Sequence, residues 1–279
     1  MTFPSKTGAV KVSGASIYYE TKGSGPLVLL IPGGPTDAGI FAELSAHLAD
    51  RYTVVAYDPR GNSRSTLDGQ PDDQNLDTHG NDAARLIETL GNGPAFVLGS
   101  SGGAQIGLNL AARHPALVHT LVAHEPPCLM LLPDPSEELA GNQAIYNTYH
   151  KEGAEAAMQK FMAMAGLDED GAEEAPQSPP PPEALETFER IIGNVDYFLA
   201  HGLMPLSQYQ PDVDALRAGS PRIVIGVGAD TAGQIAHRTG VALAEKLGTE
   251  PLHFPGDHSG YRQHAENFAK ILHQAFAQG

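Results

Sequence analysis

A mostly parallel α/β sheet flanked by helices, with a helical cap inserted between two of its strands, is the fold class the sequence predicts. Three observations carry that expectation. Continuous apolar runs alternate with helical patterns over residues 1–125, the alternation stops across 126–211, and it resumes over 212–279. Apolar runs with no polar alternation suit strands covered on both faces, and strand–helix alternation implies parallel pairing through right-handed crossovers.

The elements follow in order. Residues 8–22 alternate around Ser16-Ile17-Tyr18-Tyr19-Glu20, with Gly14 and Gly23 beside them, which predicts an opening antiparallel pair. Buried strands are expected at 27–31, 52–57, 95–98 and 120–123, separated by helical patterns at 40–49, 79–90 and 102–113. The rhythm breaks after Glu125-Pro126-Pro127. Stretches rich in Ala, Met and Phe at 140–165 and 182–200 predict helices, with an exposed polyproline-like loop over 171–182 between them. A strand at 222–227, a helix at 233–247, a strand at 251–254 and a helix at 263–277 complete the pattern. The expected division is a core domain made of 1–125 and 212–279, and a helical cap made of 126–211.

Composition narrows the partners. The 279 residues are 41% hydrophobic and 18% charged, enough to bury one large core. Seventeen Lys and Arg against 33 Asp and Glu leave a net charge of −16, which repels phosphate backbones and anionic lipid. No nucleic acid and no membrane is therefore expected as a partner. Cys128 is the single cysteine, no apolar run is long enough to cross a bilayer, and residues 1–11 lack a signal peptide's apolar stretch. The expectation is a cytoplasmic protein, with a homodimer left open.

Three motifs carry chemistry. Gly99-Ser100-Ser101-Gly102-Gly103 is a G-x-S-x-G sequence that follows an apolar strand and opens a helix. A sharp strand-to-helix turn exposes the Ser101 hydroxyl, and small neighbours permit the strained backbone. The Gly102 amide at the helix start would face a developing oxyanion. At the end of an earlier strand, Ile31-Pro32-Gly33-Gly34-Pro35 offers the N–H of Gly33 or Gly34 as a second donor, whereas Pro35 has none. Phe254-Pro255-Gly256-Asp257-His258-Ser259-Gly260 sets one of the 12 histidines in a glycine-flanked loop after the final strand. His258 follows Ser101 in the order that this kind of triad requires. No H-E-x-x-H, G-x-G-x-x-G or P-loop spacing occurs, so no metal and no cofactor is expected.

With Asp58-Pro59-Arg60-Gly61-Asn62-Ser63-Arg64-Ser65 and Arg113-His114-Pro115 added, these motifs resemble the α/β-hydrolase fold superfamily over nearly the whole chain. The resemblance implies Ser101 as nucleophile, His258 as base and a carboxylate that orients the histidine. Relatives often carry a histidine before the Gly-Gly pair, where this chain has Pro32. In such enzymes the Asp58-Pro59-Arg60-Gly61 segment is structural, its Asp and Arg tying down the turn after a strand.

Two carboxylates compete for the acid. Asp230 follows the strand at 222–227, the commonest position in this fold, but sits in a Gly/Ala/Thr stretch. Glu125 ends the preceding strand, where Pro126-Pro127 stiffen its mount, and it resembles in placement the acid of fungal zearalenone lactonases. Glu125 is preferred. The expected activity is hydrolysis of a small, apolar carboxylic ester or lactone through an acyl-enzyme. A cofactor-free perhydrolase or haloperoxidase, a carbon–carbon bond hydrolase and a non-catalytic ligand-binding protein are the alternatives. An aspartate nucleophile, as in haloalkane dehalogenases and epoxide hydrolases, is disfavoured by Ser101. Met and Phe residues of the cap, among them Phe161, Met164 and Phe198, are expected in the cap core or facing the serine.

Overall fold

The computed structural model describes residues 3–167 and 181–278. Within them, nine strands form one sheet: β1 (Lys6–Val12), β2 (Ala15–Gly23), β3 (Leu27–Ile31), β4 (Thr53–Tyr57), β5 (Thr66–Leu67), β6 (Ala95–Ser100), β7 (Val118–His124), β8 (Arg222–Gly228) and β9 (Leu252–Phe254). Their spatial order is β1-β2-β4-β3-β6-β7-β8-β9, with β5 paired to β2. β1 and β2 form the expected antiparallel hairpin, β2 meets β4 antiparallel, and every neighbouring pair from β4 to β9 is parallel.

Successive residues of β3 enter opposite layers, which explains its unbroken apolar run. Leu29 and Ile31 join the core on one side, with Leu86 and Ile87 of α2 (Leu76–Leu90), Leu108 of α3 (Gly102–Arg113) and Leu243 of α9 (Ile235–Leu247). Val28 and Leu30 join the other, with Leu44 and Leu48 of α1 (Ala42–Leu48) and Phe268 and Leu272 of α11 (Ala265–Ala277). The helix expected at 263–277 is α11, which starts two residues later, after a short α10 (Gly260–Gln263) that ends at His264.

Between β7 and β8 lies a cap-like helical region of α4 (Ser136–Glu152), α5 (Ala154–Ala165), α6 (Pro182–Tyr197) and α7 (Leu203–Ser207), followed by α8 (Val213–Ala218), whose Leu216 joins the core on the side of α3 and α9. A π-helical turn, Phe198–Gly202, joins α6 to α7. The helix expected across 140–165 is divided at Gly153, whose φ of 93° no helical residue adopts. Phe198, Leu199 and Leu203 bury against Ile145 and Ala157, with Phe161 and Met164 packed around them. The loop expected over 171–182 lies, through residue 180, outside the described residues.

The turn after β4 is tied down by two arginines with different partners. Asp58 is bound by Arg64, through Nε at 2.8 Å and Nη2 at 2.9 Å, and not by Arg60. Arg60 instead makes a two-pronged pair with Asp82 of α2, both bonds 2.7 Å. Positive φ at Gly61 (77°) and Ser63 (49°) reverses the chain and brings Arg64 back beneath Asp58.

β3, β6 and α3 approach so closely that glycine is required between them. A Cβ on Gly103 would overlap the Ile31 carbonyl oxygen, and one on Gly99 the Gly103 carbonyl oxygen. These are backbone obstacles, which cannot rotate away. Gly103→Ala is therefore expected to destabilise the fold by about 1–3 kcal/mol or more, read from the urea midpoint. An unchanged midpoint would show that α3 can move away from β3 freely.

Candidate active site

The parallel register sets the carboxyl ends of β6, β7, β8 and β9 side by side, with Ser100 opposite His124, His124 opposite Gly226, and Gly228 opposite Phe254. Each sequence-predicted residue leaves from one of these ends or from β3. Ser101 occupies the turn from β6 into α3 with φ 55° and ψ −127°, a combination that side-chain-bearing residues rarely adopt. Its N–H donates to the His124 carbonyl at 2.9 Å, pinning the turn to the end of β7. The next residue on that strand is Glu125.

Glu125 also has a positive φ, 49°, and its N–H donates to the Gly226 carbonyl at 2.9 Å. Its side chain is fully buried. One carboxylate oxygen accepts from His258 Nδ1 at 2.5 Å; the other accepts from the Gly228 N–H at 2.9 Å and from the Thr231 hydroxyl. Burial pushes the carboxyl pKa up, but the hydrogen bonds from His258 and Thr231 and the fields of His258 and His124 outweigh it, lowering the pKa to about 2. An ionised carboxylate only accepts, so His258 Nδ1 carries a proton toward Glu125, and Nε2 is the ring nitrogen outside this pair.

Asp230 lies beyond β8, where its N–H donates to the Gly256 carbonyl at 3.1 Å, and the residue is exposed. The histidine's carboxylate partner is thus Glu125. Asp257 accepts from the Ser259 N–H at 2.7 Å and shapes the loop that carries His258. No hydrogen bond joins the Ser101 hydroxyl to His258 in this structure. Such bonds are commonly long in free enzymes and tighten when substrate binds.

The glycine loop closes the site on the other side. A Cβ on Gly33 would lie 2.6 Å from both the Gly102 nitrogen and the Ser100 oxygen, and one on Gly102 only 3.3 Å from the Gly34 nitrogen. The Gly34 and Gly102 amides therefore sit against each other's residues beside Ser101. Neither is spent in a hydrogen bond among the described residues. Gly34 has φ 56°, the left-handed geometry that glycine takes without strain.

Behind the pair lies His124, fully buried between the rings of Phe254 and Phe268, its ring centre 6.3 Å from that of His258. Nδ1 meets the Ser100 hydroxyl at 3.2 Å and Nε2 has no partner among the described residues. Burial lowers its pKa to about 4, so the ring is neutral and adds no charge behind His258. Among the described residues no group of three His, Cys, Asp or Glu side chains could hold a metal ion, and no helix is long and apolar enough to cross a membrane. Thr231 and Gly228 escaped sequence reasoning, although Thr231 adjoins the rival acid Asp230.

This fold and this site define a hydrolase, and the chain belongs to the alpha/beta hydrolase fold family. Residues 26–163 match the family described as alpha/beta hydrolase fold. The chain is 37% identical over 270 residues to the uncharacterized hydrolase YraK of Bacillus subtilis (strain 168), covering 95% of this chain and 94% of that one. A thermophilic esterase from Thermogutta terrifontis superposes with a TM-score of 0.76 at 18% identity, covering 97% of this chain and 98% of its own. The enol-lactonase from Burkholderia xenovorans LB400 does so with 0.72, also at 18%, covering 98% of this chain and 100% of its own. Those two likenesses speak for the fold.

The buried ionisable groups fix a pH dependence of stability. His79 and His124 are buried, with pKa values lowered from 6.5 to about 3 and about 4. Below pH 6.5 the unfolded chain takes up protons that the folded chain refuses, so stability falls. Glu125, lowered from 4.5 to about 2, contributes stability in full above pH 4.5 and loses it as the pH falls toward 2. Urea midpoints are expected to decrease from pH 7 to 5.5 and again to 4. A flat midpoint across that range would contradict the assigned protonation states.

Proposed function

We propose that the protein is a serine hydrolase that cleaves a small, apolar carboxylic ester or lactone through an acyl-enzyme. The single observation that carries the reading is the buried Glu125–His258 pair, 2.5 Å long, at the sheet end where Ser101 occupies its strained turn.

The chemistry follows from the groups present. Ser101 Oγ attacks the acyl carbon while His258 Nε2 takes its proton, and Glu125 stabilises the imidazolium that results. The carbonyl electrons move onto oxygen, where the Gly34 and Gly102 N–H groups receive the charge. Collapse of this intermediate expels the alcohol oxygen, which takes the proton from His258 and leaves Ser101 acylated. Water then gives a proton to His258, attacks the acyl carbon, and the acid departs as Ser101 recovers its proton. For a lactone, the alcohol and the acid leave as one hydroxy acid.

The α4–α7 region between β7 and β8 supports a role in selecting substrate, because insertions at the carboxyl ends of strands flank the chemistry in this fold. Its Met and Phe content favours apolar acyl groups. The acidic surface and single buried Cys128 support a cytoplasmic setting and a small-molecule substrate.

A fluorophosphonate is expected to label Ser101, and a panel of 4-nitrophenyl esters and lactones of graded acyl length is expected to be turned over. Ser101→Ala should lower kcat by about 10³-fold or more with the fold retained. Glu125→Gln should lower it roughly 10²–10⁴-fold, and Asp230→Asn by about tenfold or less. Near-normal turnover by purified Ser101→Ala would end this reading; a crippled Asp230→Asn beside a healthy Glu125→Gln would move the acid to Asp230.

Exchanging residues 126–211 for the corresponding segment of a relative is expected to change which esters are cleaved while fluorophosphonate labelling persists. An unchanged preference would place the selecting pocket elsewhere.

A further inference from the structure

The loop that carries Gly34 is held by side chains at four successive carbonyls. The Gly33 oxygen accepts from the Thr36 N–H at 3.2 Å and from the Thr36 hydroxyl at 2.5 Å. Across a trans peptide the N–H points opposite to the carbonyl, so this clamp sets the direction of the Gly34 N–H. Asn62 Nδ2 donates to the Gly34 oxygen at 3.3 Å and to the Thr36 oxygen at 3.1 Å. The remaining carbonyl, that of Pro35, accepts from Asn194 Nδ2 at 2.7 Å.

Asn194 stands apart from the other clamps. It lies on α6 in the cap-like region, 159 residues from Pro35 along the chain, and it is 4% exposed. Its amide is used on both sides. Oδ1 accepts from the Ser63 N–H at 2.6 Å, and Nδ2 also reaches the Ser63 hydroxyl at 2.9 Å. Ser63 has a positive φ and follows Asn62 directly, so Asn194 steadies the loop that supplies the neighbouring clamp as well. One helical turn earlier, Arg190 Nε meets the buried Asp37 carboxylate at 2.6 Å, just past the end of the glycine loop. A residue concerned only with docking a helix would not need to satisfy a carbonyl two peptide units from an oxyanion donor.

We propose that Asn194 is a positioning residue for the oxyanion site. By holding the Pro35 carbonyl and Ser63, it keeps the Gly34 N–H aimed at the developing charge, and it thereby ties the rate of the chemical step to one side-chain amide of α6. The inference rests on the serine-hydrolase reading above. Without Asn194, the Pro35 carbonyl and the Ser63 N–H lose their partner, and the Thr36 and Asn62 clamps on either side of Pro35 are left to hold the Gly34 peptides with a looser loop between them. The donor most affected is one whose value lies in being fixed before charge develops.

The test uses the full chain and its most rapidly cleaved 4-nitrophenyl ester, together with a trifluoromethyl ketone of matching length. The ketone adds to Ser101 as a hemiketal whose oxygen occupies the oxyanion position. Asn194→Ala removes both the donor and the acceptor. Asn194→Asp, of the same shape, keeps the acceptor for Ser63 but turns an oxygen toward the Pro35 carbonyl. Both are expected to lower kcat by about 10–100-fold, to leave KM within about threefold, and to weaken the ketone by a factor matching the kcat loss. Arg190→Gln loosens α6 without touching the Pro35 carbonyl; it is expected to lower Tm while kcat changes by less than about threefold. The inference is overturned if the Asn194 variants keep kcat within twofold. It is equally overturned if they lose kcat with no loss of ketone affinity, or if kcat simply tracks Tm across all three variants. Ser101→Ala in the same assay separates the two levels of argument: retained turnover there defeats the hydrolase reading itself, whereas active Asn194 variants beside an inactive Ser101→Ala defeat only this one.

Discussion

A fully buried carboxylate is the constraint around which the carboxyl ends of the sheet are arranged. Removing a charge from water costs several kcal/mol unless partners replace its hydration. Glu125 meets that requirement with His258 on one oxygen and the Gly228 N–H and Thr231 hydroxyl on the other. Each partner comes from a different place: the end of β8, the loop beyond it, and the loop after β9. The need to keep one charge satisfied therefore fixes three segments relative to β7 and presents His258 with a single tautomer. Removing any one partner leaves a charged oxygen underpaired on a fully buried side chain.

The opposite side of the site is built by another kind of physics. There the backbone of β3 and its glycine turn lie against the start of α3 with no side chain between them, because a Cβ at Gly33 or Gly103 would strike backbone atoms. Close approach is what places two amides beside Ser101, and it leaves that wall thin, without side chains of its own to stiffen it. Stiffness comes from outside, through Thr36, Asn62 and Asn194. A rigid ion pair on one side and a borrowed scaffold on the other give the site unequal sensitivities. The histidine side responds to charge, and the amide side to the few side chains that hold its carbonyls.

Much of this was legible in the sequence wherever a feature is local. The apolar runs of β3, β4, β6 and β7, the strand-to-helix turn at Ser101 and the glycine pair all show within a few residues, because each rests on short-range sterics or on burial of successive side chains. The helix over 140–165 misled because the apolar pattern continues through Gly153, where only the backbone angle breaks. The choice between Glu125 and Asp230 was harder for a physical reason: both follow adjacent strand ends, and which one meets His258 depends on packing across the sheet. Thr231 and Asn194 left no readable mark, since a hydroxyl or an amide acquires its role only from partners more than a hundred residues distant. The Asp58 turn shows the same limit: Arg60 is the nearer arginine in sequence, yet the reversal at Gly61 and Ser63 brings Arg64 onto Asp58.

The separation between the acid and its histidine also orders events during synthesis. Glu125 and His258 are 133 residues apart, and β8 and β9, which carry the later part of the site, form the far edge of the sheet. At about 5–20 residues per second, a ribosome needs roughly 7–27 s to pass from one to the other. For that interval the emerging chain has its serine turn and Glu125 but not the histidine that pairs with that carboxylate. On the serine-hydrolase reading, the order of the chain delivers the base last, after the turn and the carboxylate that it serves.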